Sequence, residues 1–522
     1  MLRCKEWSHP RAWAKGWPTA LLHVVGLMMM VLSAGPVQAA EPDADWAASP
    51  CGAVLLRADD GRPARPPVRL PGLTYTCVPL ADGQTLAVGR VGPAHALADT
   101  PVVLLVHGLG QNAHTDWAAT ALDLARDHQV LAVDLPGFGA SPPSRRALAF
   151  AALADQLAEL ITRLAPGRRV QVVGHSLGGA LSLALAHRHP GLVDRLVMVD
   201  AAGILLKPVF MQHIVAQKAP ATGFALDGLI GTVVGKLHGL SSLLFLGRDD
   251  RYDFTPWLMR NPDVRRALLG GMVQLDSALG LVEHDFSAAI RATTAPTTLI
   301  WGDADRIAPL RTGQLLAARL PRARLQVLPG AGHTPMADQP GEFALLLREA
   351  LVGPLPAPRA SADAAALVLA PSQGHGLCQG TDGARYTGRY DSLTLRRCGR
   401  VHIHAAHIGR LVLDNSTVSI SDSVIDASDA TVATGVPADA VGVAIDARDS
   451  ELSATAVQLR GRIGIRSSNS WFDLAGVSLR ATGPGITLPA DRTRIFWSVS
   501  DWQASDYNGD AHFIWPRTGA PQ

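Results

Sequence analysis

The chain is poor in charge, in aromatic side chains and in cysteine. Asp, Glu, Lys and Arg make up 18% of its 522 residues, and 47 basic against 45 acidic side chains leave a formal charge of +2. That balance excludes a polybasic nucleic-acid binder and an acidic solvating tail as descriptions of the whole chain. Aromatic residues are only 5%, yet hydrophobic residues as a class reach 48%, which excludes global disorder. Only one segment approaches the apolarity of a membrane span, and it lies at the N-terminus, so a polytopic membrane protein is excluded. The five cysteines include no CxxC pair, so nothing reads as a zinc site. At roughly 100–200 residues per domain, the length implies two to four domains.

What is present begins with an export signature. Arg3, Lys5, Arg11 and Lys15 form a basic stretch, and Ala20 to Leu32 is apolar apart from His23 and Gly26. This run is shorter than the ~20 residues of a comfortable span and reads as a secretory signal. Val37-Gln38-Ala39 offers small residues for cleavage after Ala39, with Ala40 as a neighbouring alternative. An uncleaved anchor is the competing reading. Residues 40–69 would then be an N-terminal extension, and the protein would be periplasmic or extracellular. No integral membrane domain is expected after signal removal, and no nucleic-acid partner.

Cys4 leaves with the signal, and Cys51, Cys77, Cys378 and Cys398 remain. An even number in an exported chain suggests disulfides. Three pairings are open. The local ones, Cys51–Cys77 and Cys378–Cys398, would each close a short loop. Four free thiols are the alternative.

Three textures follow one another. Residues 70–352 alternate short apolar runs with helical patterns, which predicts a mostly parallel sheet with helices on both faces. The predicted strands include 101–106, 130–134, 170–173, 192–200, 296–301 and 324–328. The predicted helices include 117–127, 147–164 and 177–187. Asp82-Gly83, between 73–80 and 84–91, signals an antiparallel hairpin at the edge. Residues 203–294 interrupt the alternation for too long to be a connection and read as an inserted helical cap. Met211, Phe224, Leu229, Leu243, Phe245 and Trp257 are its candidate pocket residues. Residues 353–375 hold four prolines and read as a linker.

From 376 to 522 helical periodicity disappears and short alternating strands take over. Asp449-Ser450-Glu451-Leu452 is echoed 20 residues later by Asn469-Ser470-Trp471-Phe472. Val457-Gln458-Leu459-Arg460 is echoed at the same spacing by Val477-Ser478-Leu479-Arg480, and Asn415-Ser416-Thr417-Val418 is a third copy offset by a longer loop. A period of 20 residues suits one coil of a parallel β-helix, and a β-sandwich is the alternative. His402, His404 and His407 are a candidate metal cluster, against a reading as exposed side chains. Trp471, Trp497, Trp502 and Trp515 are a candidate sugar platform, against packing within the coils.

The chemistry concentrates in the middle of the chain. Gly174-His175-Ser176-Leu177-Gly178-Gly179 sits between a predicted strand and a predicted helix, the context of a nucleophile elbow. A serine hydroxyl needs a base, and the base needs an orienting carboxylate. His333 lies in a glycine-rich loop after a strand, and Trp301-Gly302-Asp303-Ala304-Asp305-Arg306 supplies carboxylates after another. Val106-His107-Gly108-Leu109-Gly110 ends the strand expected beside the elbow. The N–H groups of Leu109 and Leu177 are the candidate oxyanion hole, where one donor is typically worth about 3 kcal/mol.

HGLG (107–110), DLPGFGAS (134–141), GHSLGG (174–179), WGDADRIAP (301–309) and GAGHTP (330–335) together resemble the cap-bearing branch of the α/β-hydrolase superfamily. Meta-cleavage-product hydrolases, cofactor-free haloperoxidases and related esterases carry similar motifs. The resemblance implies Ser176 as nucleophile, His333 as base and Asp305 as acid. Asp303 is the runner-up for the acid and Asp200 a third candidate. Haloalkane dehalogenases and epoxide hydrolases are also similar but use Asp as nucleophile, and Ser176 argues against both. The C-terminal region resembles pectin-lyase-like β-helices in texture only. Lyases of that class use Lys or Arg bases and acidic calcium sites; no Lys follows Lys236 and no paired-Asp catalytic motif is found, so no enzyme activity is expected there.

The expected function is an exported serine hydrolase, a carboxylesterase or lipase-like enzyme acting on a small or lipidic ester. No metal or organic cofactor is expected. Activity should fall on the acid side, since an imidazole base ordinarily protonates near pH ~6.5. The alternatives are a surface glycan-binding or adhesion protein with a remnant hydrolase fold, or an esterase acting on decorated polysaccharide. In the last, the C-terminal domain would hold a polysaccharide or other surface ligand.

Overall fold

Alternate residues of the run Val102–Val106 enter two different cores. Val102, Leu104 and Val106 pack into one cluster and Val103 and Leu105 into another, and all five are buried. A strand buried on both faces needs cover on both sides, and each fully buried leucine contributes about 1.5–3 kcal/mol. In a computed structural model of the chain, that cover is helical. The structure describes Cys51, residues 72–511 and residues 514–515, apart from 94–96, 98, 111–112, 145–148, 206–276, 278–279, 282–283, 359–370, 429–440 and 489–492. The expected signal segment, most of the expected cap (206–276) and all six of its pocket residues lie outside the described residues.

The strands are β1 (Thr74–Pro79), β2 (Thr85–Val91), β3 (Val102–Val106), β4 (Gln129–Val133), β5 (Val170–His175), β6 (Val193–Val199), β7 (Thr297–Gly302) and β8 (Ala323–Leu328). Their spatial order is β1-β2-β4-β3-β5-β6-β7-β8. β1 and β2 form the expected hairpin, β2 runs antiparallel to β4, and all other pairs are parallel. The helices are α1 (Ala118–Leu124), α2 (Phe150–Leu164), α3 (Leu177–Arg188), α4 (Ser287–Ala292), α5 (Leu310–Arg319), α6 (Pro335–Asp338) and α7 (Pro340–Val352). Leucines of α2, α3 and α5 fill the first cluster, and Leu124, Phe343, Leu347 and Leu351 of α1 and α7 fill the second. Cys51 is bonded to Cys77 of β1, which ties the extension to the sheet edge.

Beyond α7 the described residues form strands and no helix. Strands at 443–448, 451–455 and 458–461 are followed by 463–468, 471–475 and 478–481. Val443 pairs with Ile463, Glu451 with Trp471 and Gln458 with Ser478, all in parallel. Each pairing spans the 20-residue period read from the sequence. Thr417 pairs with Glu451 across the longer insertion. Parallel pairing rules out the sandwich alternative, whose sheets are antiparallel.

The echoed Asx-Ser motif has a local cause. Asn415, Asp449 and Asn469 turn the corner with φ of 47°, 47° and 50°, a conformation Asn and Asp tolerate well. The serine that follows is buried in each case, and its hydroxyl accepts an N–H from the preceding coil. Cys398 N–H donates to Ser416 at 3.1 Å, Ser416 N–H to Ser450 at 3.1 Å, and Ser450 N–H to Ser470 at 3.1 Å. The ladder satisfies backbone donors that have no strand partner at the corner. The Cys378–Cys398 disulfide sits at the start of the stack. The structure therefore holds both local cysteine pairings.

The two parts meet along α5. Arg311 donates to Thr455 Oγ1, to the Asp473 carboxylate, to Ala454 O at 2.6 Å and to Asp473 O at 3.0 Å. Arg319 donates to Gly476 O. Ala475 and Val499 of the coils join the hydrolase core cluster. A side chain on Gly476 would collide with Leu315. Arg291 of α4 adds an exposed pair with Asp510 at 2.9 Å.

Candidate active site

β5 hands the chain to α3 through one residue, Ser176, held at φ 53° and ψ −118°. Such a backbone conformation costs a non-glycine residue on the order of 1–3 kcal/mol and persists only where its surroundings enforce it. The enforcement is visible. Ser176 N–H donates to Val199 O at 2.9 Å, and Ser176 O accepts from Ala202 N–H at 3.2 Å. Gly174 and Gly178 keep the turn tight. A Cβ on Gly174 would strike the Gly178 carbonyl, and one on Gly178 would strike the carbonyls of Val106 and His107.

The loops after β7 and β8 converge on this serine. Ser176 Oγ donates to His333 Nε2 at 2.9 Å, and His333 Nδ1 donates to Asp305 Oδ2 at 2.8 Å. The Asp305 side chain is fully enclosed. Its other oxygen accepts the N–H groups of Ile307 at 2.7 Å and Ala308 at 3.0 Å. Burial alone would raise this carboxyl, but the hydrogen bond and charge of His333, with those two N–H groups, hold it below the ordinary carboxylate range.

The other two carboxylates do different work. Asp303 is exposed, and its side chain accepts Gly330 N–H at 2.6 Å, which braces the His333 loop. Asp200 is fully buried at the end of β6 with φ 42°, and its Oδ1 accepts Gly302 N–H at 3.0 Å. Burial, then the charge of Asp305, push its carboxyl up to about 10. It is therefore a neutral acid near pH 7. The structure brings Asp305 to His333, and neither of the other candidates.

Three histidines outside the candidate set also order the site. His175 Nε2 donates to the His333 backbone carbonyl at 2.7 Å. Burial, then repulsion from His333, lower its pKa to about 3, so it stays neutral. His107 Nδ1 donates to Gly108 O at 2.6 Å and its Nε2 accepts Leu135 N–H at 3.0 Å, which shapes the loop after β3. Burial lowers its pKa. His114 joins Asp134 at 2.7 Å and Tyr75 at 2.9 Å. Asp134, from the DLPGFGAS motif, also accepts N–H groups of His114 and Ala140 at 2.9 Å each. His175 and His107 both stood inside recognised motifs; only their partners were hidden.

Leu177 opens α3, so its N–H is one of those without an intrahelical acceptor. Leu109 lies in the loop that crosses the serine: a Cβ on neighbouring Gly108 would fall 3.1 Å from Ser176 Cβ. The arrangement offers a hydroxyl, a base, a buried carboxylate and N–H groups at a helix N-terminus. Among the described residues no group of three or more His, Cys, Asp or Glu is arranged to hold a metal ion. His402 and His404 are exposed, and His404 meets Ser421 at 3.0 Å.

The α/β hydrolase fold family matches residues 101–340. An uncharacterized protein of Mycobacterium tuberculosis is 30% identical over 258 residues, which is 47% of this chain and 73% of that one. The pimeloyl-[acyl-carrier protein] methyl ester esterase of Chromobacterium violaceum is 32% identical over 256 residues, 49% of this chain and 96% of the esterase. Among solved structures, a hydrolase from Pseudomonas aeruginosa is 26% identical with a TM-score of 0.40, over 54% of this chain and 100% of that one. The chain belongs to the α/β-hydrolase fold family.

Proposed function

We propose that the chain is an exported serine hydrolase that cleaves carboxylic esters through an acyl-enzyme on Ser176. One observation carries the reading: the unbroken line from Ser176 Oγ through His333 to the enclosed carboxylate of Asp305. Ser176 Oγ attacks the ester carbonyl carbon as His333 Nε2 takes its proton. The N–H groups of Leu109 and Leu177 receive the negative charge that develops on the carbonyl oxygen. The intermediate collapses, and the leaving alcohol takes the proton from His333. Water then attacks the acyl group, gives its proton to His333, and the carboxylic acid departs as Ser176 recovers its proton. Asp305 holds the imidazole tautomer and balances its charge throughout. The scheme uses no metal or organic cofactor.

The methyl ester esterases among the relatives favour an ester as substrate class. The two disulfides and the basic, then apolar, N-terminal segment favour export. Among the described residues no helix is long and apolar enough to cross a membrane. We read the C-terminal domain as a parallel β-helix on its coil-to-coil pairing.

The test is turnover of p-nitrophenyl acyl esters of increasing chain length by the full chain and by His333→Ala. Wild type should turn over at least the short esters, and the variant should lose about 10⁴ or more in kcat. A wild-type protein inert toward the whole panel would sink the reading.

A further inference from the structure

The four tryptophans singled out in the sequence separate in the structure. Trp497 and Trp502 are interior, 2% and 0% exposed, with ring centroids 5.3 Å apart. They pack the coils. Trp515 lies in a short terminal strand paired with Ile495. Trp471 differs: it is half-buried on the outward side of strand 471–475, whose Phe472 and Leu474 point inward. Phe496 backs the indole at a centroid distance of 4.5 Å.

In front of Trp471 lies a groove of about 430 Å³ lined by Thr417, Val418, Glu451, Leu452, Ser453 and Trp471. Thr417, Glu451 and Trp471 occupy the same register position on three successive coils. An aromatic face beside two hydroxyls and a carboxylate matches a pyranose, which offers a C–H face for stacking and a rim of hydroxyls for hydrogen bonds. Among the described residues that line the groove Glu451 is the charged one, and Arg494 stands beside Trp471 at the same register position on the next coil, so the row carries no net charge and favours a neutral ligand.

The groove faces a particular way. Asp473, two residues along the same strand face from Trp471, is bonded to Arg311 near the start of α5. Gly476, further along, meets Leu315 and Arg319 later in the same helix. Strand and helix therefore run in the same direction. The start of the strand, with Trp471, lies toward the N-terminal end of α5, the end at which the Asp305 loop leaves the sheet. The docked domain thus presents its open, aromatic end of the sheet on the catalytic side of the hydrolase.

We propose that this groove binds a neutral glycan chain, and that the ester cleaved at Ser176 is an acyl group carried by such a glycan. The second half of the statement rests on the serine-hydrolase reading; the first does not.

The experiment uses the full chain with O-acetylated xylan and O-acetylated glucomannan as probes. Affinity electrophoresis of Ser176→Ala measures binding without turnover. Retardation by at least one polymer is expected, and it should weaken about tenfold in Trp471→Ala/Ser176→Ala and in Glu451→Ala/Ser176→Ala. On the wild-type serine background, Trp471→Ala should keep kcat/KM for p-nitrophenyl acetate within about twofold and lose about tenfold on the acetylated polymer. The conservative Trp471→Phe should recover part of the polymer activity. Absence of binding to both polymers, or equal losses on polymer and small ester, would overturn the proposal. Polymer binding that depends on Trp471, with no turnover of any ester by wild type, would overturn the ester half and the hydrolase reading while leaving the groove.

Discussion

Arg311 and Asp473, separated by 162 residues in the chain, are bonded through both the side chain and the backbone carbonyl of the aspartate. The pair is partly buried, with side-chain exposures of 17% and 14%. It fastens the coil domain to α5, the helix that follows the Asp305 loop directly. Removing one member of a partly buried, hydrogen-bonded pair leaves the other charge uncompensated. Arg311→Met should therefore lower stability by about 2–3 kcal/mol, and Asp473→Asn by a similar amount. The double variant should cost clearly less than the sum. Denaturant titration of the four proteins checks this. Additive losses would mean that the contact does not hold the domains together.

The three candidate carboxylates separate by role. Asp305→Asn should lower kcat by about 10⁴, since an amide orients the wrong imidazole tautomer. Asp200→Asn should stay within severalfold of wild type, because the aspartate it replaces is already a neutral acid near pH 7. Asp303→Asn should also remain active, since the Asp303 side chain accepts the Gly330 N–H of the histidine loop and an amide oxygen can do the same. Steady-state kinetics on one ester decides among them. A collapse in Asp200→Asn would mean that this carboxyl is ionised and acts directly.

Asp200 also gives a pH-dependent signature. Its carboxyl titrates at about 10 in the folded protein, against roughly 3.9 in an unfolded chain. Between those values the folded state keeps a proton that the unfolded state has lost. The contribution of this group to stability is full below about pH 4 and declines as pH rises toward 10. Asp200→Asn removes the titration, so its Tm should gain on that of wild type as pH is raised from about 5 to 9. Parallel Tm curves for the two proteins over that range would contradict the assignment.

The Cys51–Cys77 bond closes a loop with a sequence separation of 26. Loop closure of that length is worth roughly 3–4 kcal/mol. The double variant Cys51→Ser/Cys77→Ser should lose about that much unfolding free energy in a denaturant titration. Mass spectrometry of the untreated protein should find the 51–77 and 378–398 pairs. A long-range pairing between the two halves would contradict the fold.

Much of the catalytic half was legible in the sequence because its information is local. The Ser176 elbow announces itself through Gly174, Gly178 and Gly179, each needed for close approach of backbone. The 20-residue period was legible because three coils repeat the same Asx corner and the same hydroxyl of the serine ladder. Strands 451–455 and 471–475 were harder to read. Ser453, Ala454 and Thr455 show no hydrophobic alternation, although Ala454 and Thr455 are both buried. The choice of Asp305 over Asp200 came through family resemblance, since spacing cannot say which strand ends point toward the histidine. Asp200 and Asp305 flank the same turn at Gly302, and only the sheet order shows that one binds the backbone and the other the imidazole. The Arg311–Asp473 contact left no trace in either segment, because nothing near Arg311 in sequence requires a carboxylate partner.

The central claim is that Ser176 is a live nucleophile activated by His333. Fluorophosphonate labelling of the full chain, followed by peptide mapping, tests it most directly. Wild type should be labelled on Ser176, Ser176→Ala should not be labelled, and His333→Ala should label far more slowly. Labelling that persists in Ser176→Ala, or maps to another residue, would contradict the account.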